Sequence, residues 1–107
     1  MIIRGGENIS PSEIEEYIER FPGVTAAKVV GVPADIVQER VVALITTKIP
    51  GFNCKELREY LQKQTARYKV PEEIFVIKQF PMTGSGKIDQ KATKQLAQKL
   101  CRGISED

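Results

Sequence analysis

The run Val41-Val42-Ala43-Leu44-Ile45 constrains this chain more than any other stretch. Five apolar residues in a row, three of them β-branched, favour extended backbone, where branched side chains pack well. A strand with one face in water alternates apolar and polar residues. An unbroken apolar run suits a strand covered on both faces. The run therefore predicts a central strand over residues 40–47, with other elements packed above and below it. The chain has 107 residues, enough for one compact domain and one modest core.

The remaining elements are read around that strand. Residues 1–7 predict a short strand pair broken by Gly5-Gly6, a hairpin signal. Ser10-Pro11-Ser12-Glu13 predicts a helix start: Ser10 caps, Pro11 takes the first helical position, and Glu13 completes a capping box. Ile9 and Ile14 stand where a hydrophobic staple closes over that cap, and Ile14, Tyr17, Ile18 and Phe21 form one apolar stripe before Pro22-Gly23 ends the helix. Residues 24–32 predict a strand stopping at Pro33. Asn53 and Glu56 repeat the cap spacing for a second helix over 54–66, with Leu57 and Leu61 inward. Arg67-Tyr68-Lys69-Val70-Pro71 links it to a short strand at 74–77. Asp89 predicts the cap of a last helix with Ala92, Leu96 and Leu100 on one face. The fold class is α+β: a small central β-sheet with helices packed on it, plus an N-terminal β-hairpin.

Composition removes whole classes of chemistry. The chain has no histidine, so it holds no Ser-His-Asp triad, no His-paired cysteine and no histidine metal site. Cys54 and Cys101 are far apart and match no metal spacing, so no metal site is expected and free thiols in a reducing, cytoplasmic compartment are. No apolar run approaches the ~20 residues that span a membrane, and the N-terminus lacks the apolar segment of a secretory signal. The formal net charge of +2 implies no nucleic-acid partner, and no aromatic residues interleave with Lys91, Lys94, Lys99 and Arg102 of the last helix. There is no internal repeat.

Two glycine-containing stretches remain. Pro81-Met82-Thr83-Gly84-Ser85-Gly86-Lys87-Ile88-Asp89 sets a lysine beside residues that tolerate positive φ, which predicts a flexible arm carrying a point cation. It is not a Walker phosphate loop. Pro81 stands where the first glycine belongs, and Ile88 where Ser or Thr belongs. Arg4-Gly5-Gly6-Glu7-Asn8-Ile9 could bring backbone close to a ligand or simply turn a hairpin. Taken alone, each stretch reads as a turn.

Together, and in order, they resemble a family. Met1-Ile2-Ile3-Arg4-Gly5-Gly6-Glu7-Asn8-Ile9, then Val29-Val30-Gly31-Val32-Pro33 with Glu39, then Arg67-Tyr68-Lys69-Val70-Pro71, then Pro81 to Asp89 resemble the C-terminal domain of the adenylate-forming enzymes. That group holds acyl-CoA synthetases, nonribosomal peptide adenylation domains and firefly-type luciferases. The resemblance runs to about Leu100, and the Gly-Gly-Glu-Asn-Ile form is most similar to the acyl-CoA synthetase branch. It implies that residues 1–107 are one C-terminal domain, with the N-terminal ATP- and acyl-binding domain and the hinge residue lying outside the sequence.

The resemblance further implies a two-step reaction with ATP, CoA and Mg2+ serving the complete enzyme, none of them bound by this domain alone. ATP and a carboxylic acid form an acyl-adenylate and pyrophosphate, the domain rotates, and the CoA thiol attacks the acyl carbon. Lys87 matches the lysine of the first half-reaction. Gly5, Gly6 and Glu7 match the loop lining the pantetheine passage in the second, and Arg4 and Asn8 are carried over as contacts to a nucleotide or CoA phosphate. The partners implied are the N-terminal domain and a small carboxylic acid. The family pattern has Gly before the glutamate aligned with Glu39, where this chain has Val37-Gln38, so no CoA contact is assigned to that loop. The alternative class is a free-standing α+β binding module whose basic surface meets an acidic partner.

Overall fold

A computed structural model describes residues 2–4, 7–33, 39–66 and 69–105. In chain order the elements are β1 (Ile2–Arg4), β2 (Glu7–Ile9), α1 (Pro11–Glu19), β3 (Val24–Pro33), β4 (Glu39–Thr47), α2 (Cys54–Gln64), β5 (Glu73–Val76) and α3 (Gln90–Ser105). β1 and β2 pair antiparallel, with Ile2 opposite Ile9 and Arg4 opposite Glu7. The main sheet has the order β3-β4-β5. β3 runs antiparallel to β4, and β5 parallel to it. A parallel neighbour cannot be reached through a tight turn, and α2 supplies the crossover.

β4 is the central strand that the apolar run predicts. Val41, Val42, Ala43, Leu44 and Ile45 are each 0% exposed. Strand alternation divides them between two cores. Val41, Ala43 and Ile45 join Ile14 and Ile18 of α1, Leu57 and Leu61 of α2, and Ile2 and Ile9 of the N-terminal pair. Val42 and Leu44 join Ala97 and Cys101 of α3, together with Val32 and Phe80. Two helices and the small hairpin cover one face, and one helix covers the other.

Local chemistry explains most element boundaries and corrects two expectations. Pro11 begins α1 and Ile9 and Ile14 are buried in one cluster, in keeping with a staple. The capping box does not form. Ser10 makes no side-chain cap hydrogen bond, and Glu13 Oε1 instead accepts from Lys69 Nζ at 3.0 Å. A full ammonium outcompetes a backbone amide for a carboxylate. Glu15, two residues on, accepts from the Val29 amide at 2.9 Å, which occupies a donor on the outer edge of β3. The second cap forms as read: Asn53 Oδ1 accepts from the amides of Lys55 and Glu56.

The second correction concerns α3. The predicted face was Ala92, Leu96 and Leu100. The residues against the sheet are Thr93, Ala97 and Cys101, at 1%, 0% and 5% exposure. Leu96 and Leu100 are partly buried beside them. Small side chains four apart let the helix axis approach the strands closely, and the leucines fill the flanks. The Thr93 hydroxyl is satisfied within the helix, donating to the Asp89 carbonyl at 2.7 Å.

Candidate functional site

Lys87 sits on a closed hairpin, not on the slack arm that its glycines predict. The chain leaves the core at Phe80, 6% exposed, and returns at Ile88, which packs on the α3-side cluster. Met82 and Ile88 face each other as an antiparallel bridge. Below that bridge the Asp89 amide donates to the Pro81 carbonyl at 2.8 Å. Above it, the Thr83 amide donates to the Lys87 carbonyl at 2.7 Å, and the Gly86 amide to the Thr83 carbonyl at 3.1 Å. Of the two glycines only Gly86 has positive φ, at 85°. That left-handed residue is what turns the chain back and brings Lys87 opposite Thr83.

The base of the hairpin continues directly into α3. Asp89 Oδ1 accepts from the Ala92 amide at 3.0 Å, the predicted cap. The Asp89 carbonyl accepts from the Thr93 amide at 2.9 Å. One residue thus closes the hairpin with its amide and starts the helix with its carboxylate and carbonyl. The Lys87 side chain is exposed. It stands on a short hydrogen-bonded post whose foot is the first turn of a core helix.

The other predicted residues lie on the N-terminal hairpin. Arg4 closes β1 and Glu7 opens β2, as facing partners at the connected end of the pair. Asn8 is exposed and opposite Ile3. Gly5 and Gly6 lie outside the described residues, as do Arg67, Tyr68, Val37 and Gln38. This hairpin is rooted by Ile2 and Ile9 in the core on the α1–α2 side. The Lys87 hairpin is rooted by Phe80 and Ile88 in the core on the α3 side. The two hairpins are therefore rooted in different core clusters, although Ile2 lines a surface cavity with Gln90, Lys91 and Lys94 of α3.

Neither Cys54 nor Cys101 is in a disulfide. Burial pushes each thiol up from its ordinary value, opposed at Cys54 by the charge of Arg58 and at Cys101 by the charge and hydrogen bond of Arg40. Neither has the lowered pKa of a nucleophile. Among the described residues, no group of three acidic or thiol side chains could hold a metal ion, and no helix is long and apolar enough to cross a membrane. The candidate chemistry of the described residues is thus one exposed ammonium on a braced loop.

Residues 13–87, which run from the first turn of α1 to the lysine itself, match the family described as AMP-binding enzyme C-terminal domain. The chain belongs to that family. It is 39% identical over 101 residues to the mitochondrial medium-chain acyl-CoA ligase ACSF2 of Danio rerio, covering 92% of this chain and 16% of the ligase. Among solved structures, the Mycobacterium tuberculosis fatty acyl CoA synthetase superposes with a TM-score of 0.85 at 31% identity, over 94% of this chain and 20% of that one. The o-succinylbenzoate CoA synthetase of Bacillus subtilis, solved with its product analogue OSB-NCoA, gives 0.78 at 32% identity over 88% and 19%. The same synthetase in complex with the acyl-adenylate intermediate OSB-AMP gives 0.73 at 33% identity over 81% and 18%. The chain thus spans a fifth or less of the length of these relatives.

Thr83 is the residue that reading by motif leaves without a role. Its bonds to the loop depend on the hairpin closing, and no spacing rule reports that. The only signal in the sequence is a hydroxyl residue one position before the Gly-Ser-Gly turn.

Proposed function

We propose that this chain is the mobile C-terminal domain of an acid–CoA ligase of the AMP-forming type, and that it serves two half-reactions in turn. In the first, a carboxylate oxygen attacks the α-phosphorus of ATP and pyrophosphate leaves. The Lys87 ammonium lies against the carboxylate and the α-phosphate and holds the charge that builds there in the transition state. In the second, the domain rotates, the CoA thiol attacks the acyl carbon of the adenylate, and AMP leaves. Gly5, Gly6 and Glu7 then line the pantetheine passage, where the absence of side chains at 5 and 6 leaves room for the arm. Arg4 and Asn8 lie near a nucleotide or CoA phosphate. Mg2+, when bound to the whole enzyme, screens the ATP phosphates. None of the described residues here is assigned to it.

The observation that carries this reading is the construction of the Lys87 hairpin. An exposed lysine at the tip of a braced loop, continuous with a core helix, is suited to delivery into a site on another body. Nothing on the described surface around it needs the charge. The partner implied is an N-terminal domain binding ATP and the acid, in keeping with the larger size of the relatives. The acyl group is chosen in that domain. A reducing compartment fits two thiols outside any disulfide, and the similar medium-chain ligase is a mitochondrial one by name.

The test uses the full-length ligase that carries this domain. Lys87→Ala is expected to slow acid-dependent pyrophosphate release by about a hundredfold or more, the usual cost of removing one charge-stabilising donor. Thioester formation from supplied acyl-adenylate and CoA is expected to stay near wild type. Equal loss of both half-reactions would remove the role given to Lys87. The alternative, a binding module for an acidic partner, draws on the exposed Lys91, Lys99 and Arg102 of α3. It predicts tight, salt-sensitive binding without any ligase activity.

A further inference from the structure

Every polar atom of Thr83 is engaged with the three residues at the tip of the hairpin. Its amide donates to the Lys87 carbonyl at 2.7 Å, and its carbonyl accepts from the Gly86 amide at 3.1 Å. Its hydroxyl oxygen accepts from the Lys87 amide at 3.3 Å and lies 3.0 Å from the Ser85 hydroxyl. Thr83 is exposed and belongs to neither core cluster. These bonds serve no packing purpose. They hold both main-chain groups of Lys87, and so fix where its side chain starts and the direction of its Cα–Cβ bond.

We infer that Thr83 is a positioning residue for Lys87: its hydroxyl locks the lysine's main chain so that the side chain departs from the hairpin in one direction. The β-branched side chain helps, because few χ1 wells are open to it and the hydroxyl is held toward the turn. Proximity contributes to rate only when the group is already aimed. A misplacement of about 1 Å far from the reacting bond can cost about a hundredfold. The inference rests on the adenylation role proposed for Lys87, and its test separates the two.

In the full-length ligase, Thr83→Val keeps the shape and removes the hydroxyl, while Thr83→Ser keeps the hydroxyl. Thr83→Val is expected to lower kcat for adenylate formation by roughly tenfold, within the range that misalignment produces, with KM for ATP and acid unchanged. Thioester formation from supplied acyl-adenylate stays at the wild-type rate, and so does the melting temperature. Thr83→Ser restores adenylation, and the Lys87 amide exchanges with solvent faster in the valine variant than in the serine variant. Wild-type adenylation in Thr83→Val, alongside its loss in Lys87→Ala, overturns the positioning role and leaves the reading of Lys87 intact. So does an equal loss in the valine and serine variants, or an equal loss in both half-reactions. Undiminished adenylation in Lys87→Ala overturns both.

Discussion

Gly86→Ala isolates backbone strain from every other effect, because the site is open. Gly86 has φ of 85°, and a Cβ built on it meets nothing within 4 Å. The substitution therefore costs only the conformational penalty of an L-residue on the left-handed side, about 1–2 kcal/mol. The tip, residues 83–87, is exposed and outside both cores, so the strain is relieved by opening the tip while the domain stays folded. A two-stranded hairpin is marginally stable at best, and its closed fraction responds directly to such a loss. A penalty of one to two kcal/mol corresponds to about 5- to 30-fold in an equilibrium constant. Adenylation by the full-length ligase, read as pyrophosphate release, is expected to fall by up to that factor, because the closed fraction drops by less than the equilibrium constant while the closed form still dominates. The urea midpoint of the domain should not move. Gly23→Ala is the contrast. Its φ is 96°, and its Cβ would overlap Ile49 Cδ1 and lie 3.4 Å from Phe52 Cε2. That position joins α1 to β3 at a partly buried turn, where the exposed Ile49 side chain can move aside, so the strain of the left-handed backbone lowers the midpoint with little direct effect on Lys87. A Gly86→Ala enzyme with normal adenylation would refute the idea that the closed tip presents the lysine. A lowered urea midpoint in that variant would refute its independence from the core.

Two further outcomes test the fold itself. Leu44→Ala empties a position that is 0% exposed on the α3 side of the sheet, and should cost about 2–5 kcal/mol in urea unfolding; a cost under about 1 kcal/mol would mean that α3 does not seal that face. The raised thiols give a pH dependence: their contribution is complete below the unfolded thiol pKa of about 8.5 and is lost as pH rises through the higher folded values. Stability under reducing conditions should therefore fall more steeply above about pH 8.5 in the wild type than in the Cys54→Ala/Cys101→Ala variant, and parallel curves would show that burial does not perturb the thiols.

The fold was legible where one residue's neighbours along the chain decide the outcome. The apolar run at 41–45 marks a strand covered twice because no single-faced strand tolerates it, and β4 is that strand. The Asn53 cap is a local contest between a side chain and two amides two and three residues away, and it forms as read. The misses are contests settled across the fold. Glu13 carries the spacing of a capping box, but its partner Lys69 lies 56 residues on, and no local rule contains it. The α3 stripe was centred on its largest apolar residues. The contact is centred on Thr93, Ala97 and Cys101, because the depth of approach to the sheet, a property of two surfaces, decides which row faces in. The parallel pairing of β5 with β4 is likewise a choice among edges that the strand's own residues do not encode.

The site divides in the same way. Lys87 stands out in the sequence through the pattern around it, and the N-terminal Gly-Gly pair through its place in the same ordered set of motifs. Invisible there is the closure of residues 81–89 by Thr83, Gly86 and Asp89, which changes what the glycines do. A slack loop could carry Lys87 into a site and out again by itself. A hairpin bridged at Met82 and Ile88, and continued through Asp89 into α3, moves far only if α3 moves, and α3 is packed on the central sheet. Under the proposed function, the displacement of Lys87 between half-reactions therefore falls on the domain as a rigid body. The single left-handed glycine sets the lysine's aim within that body.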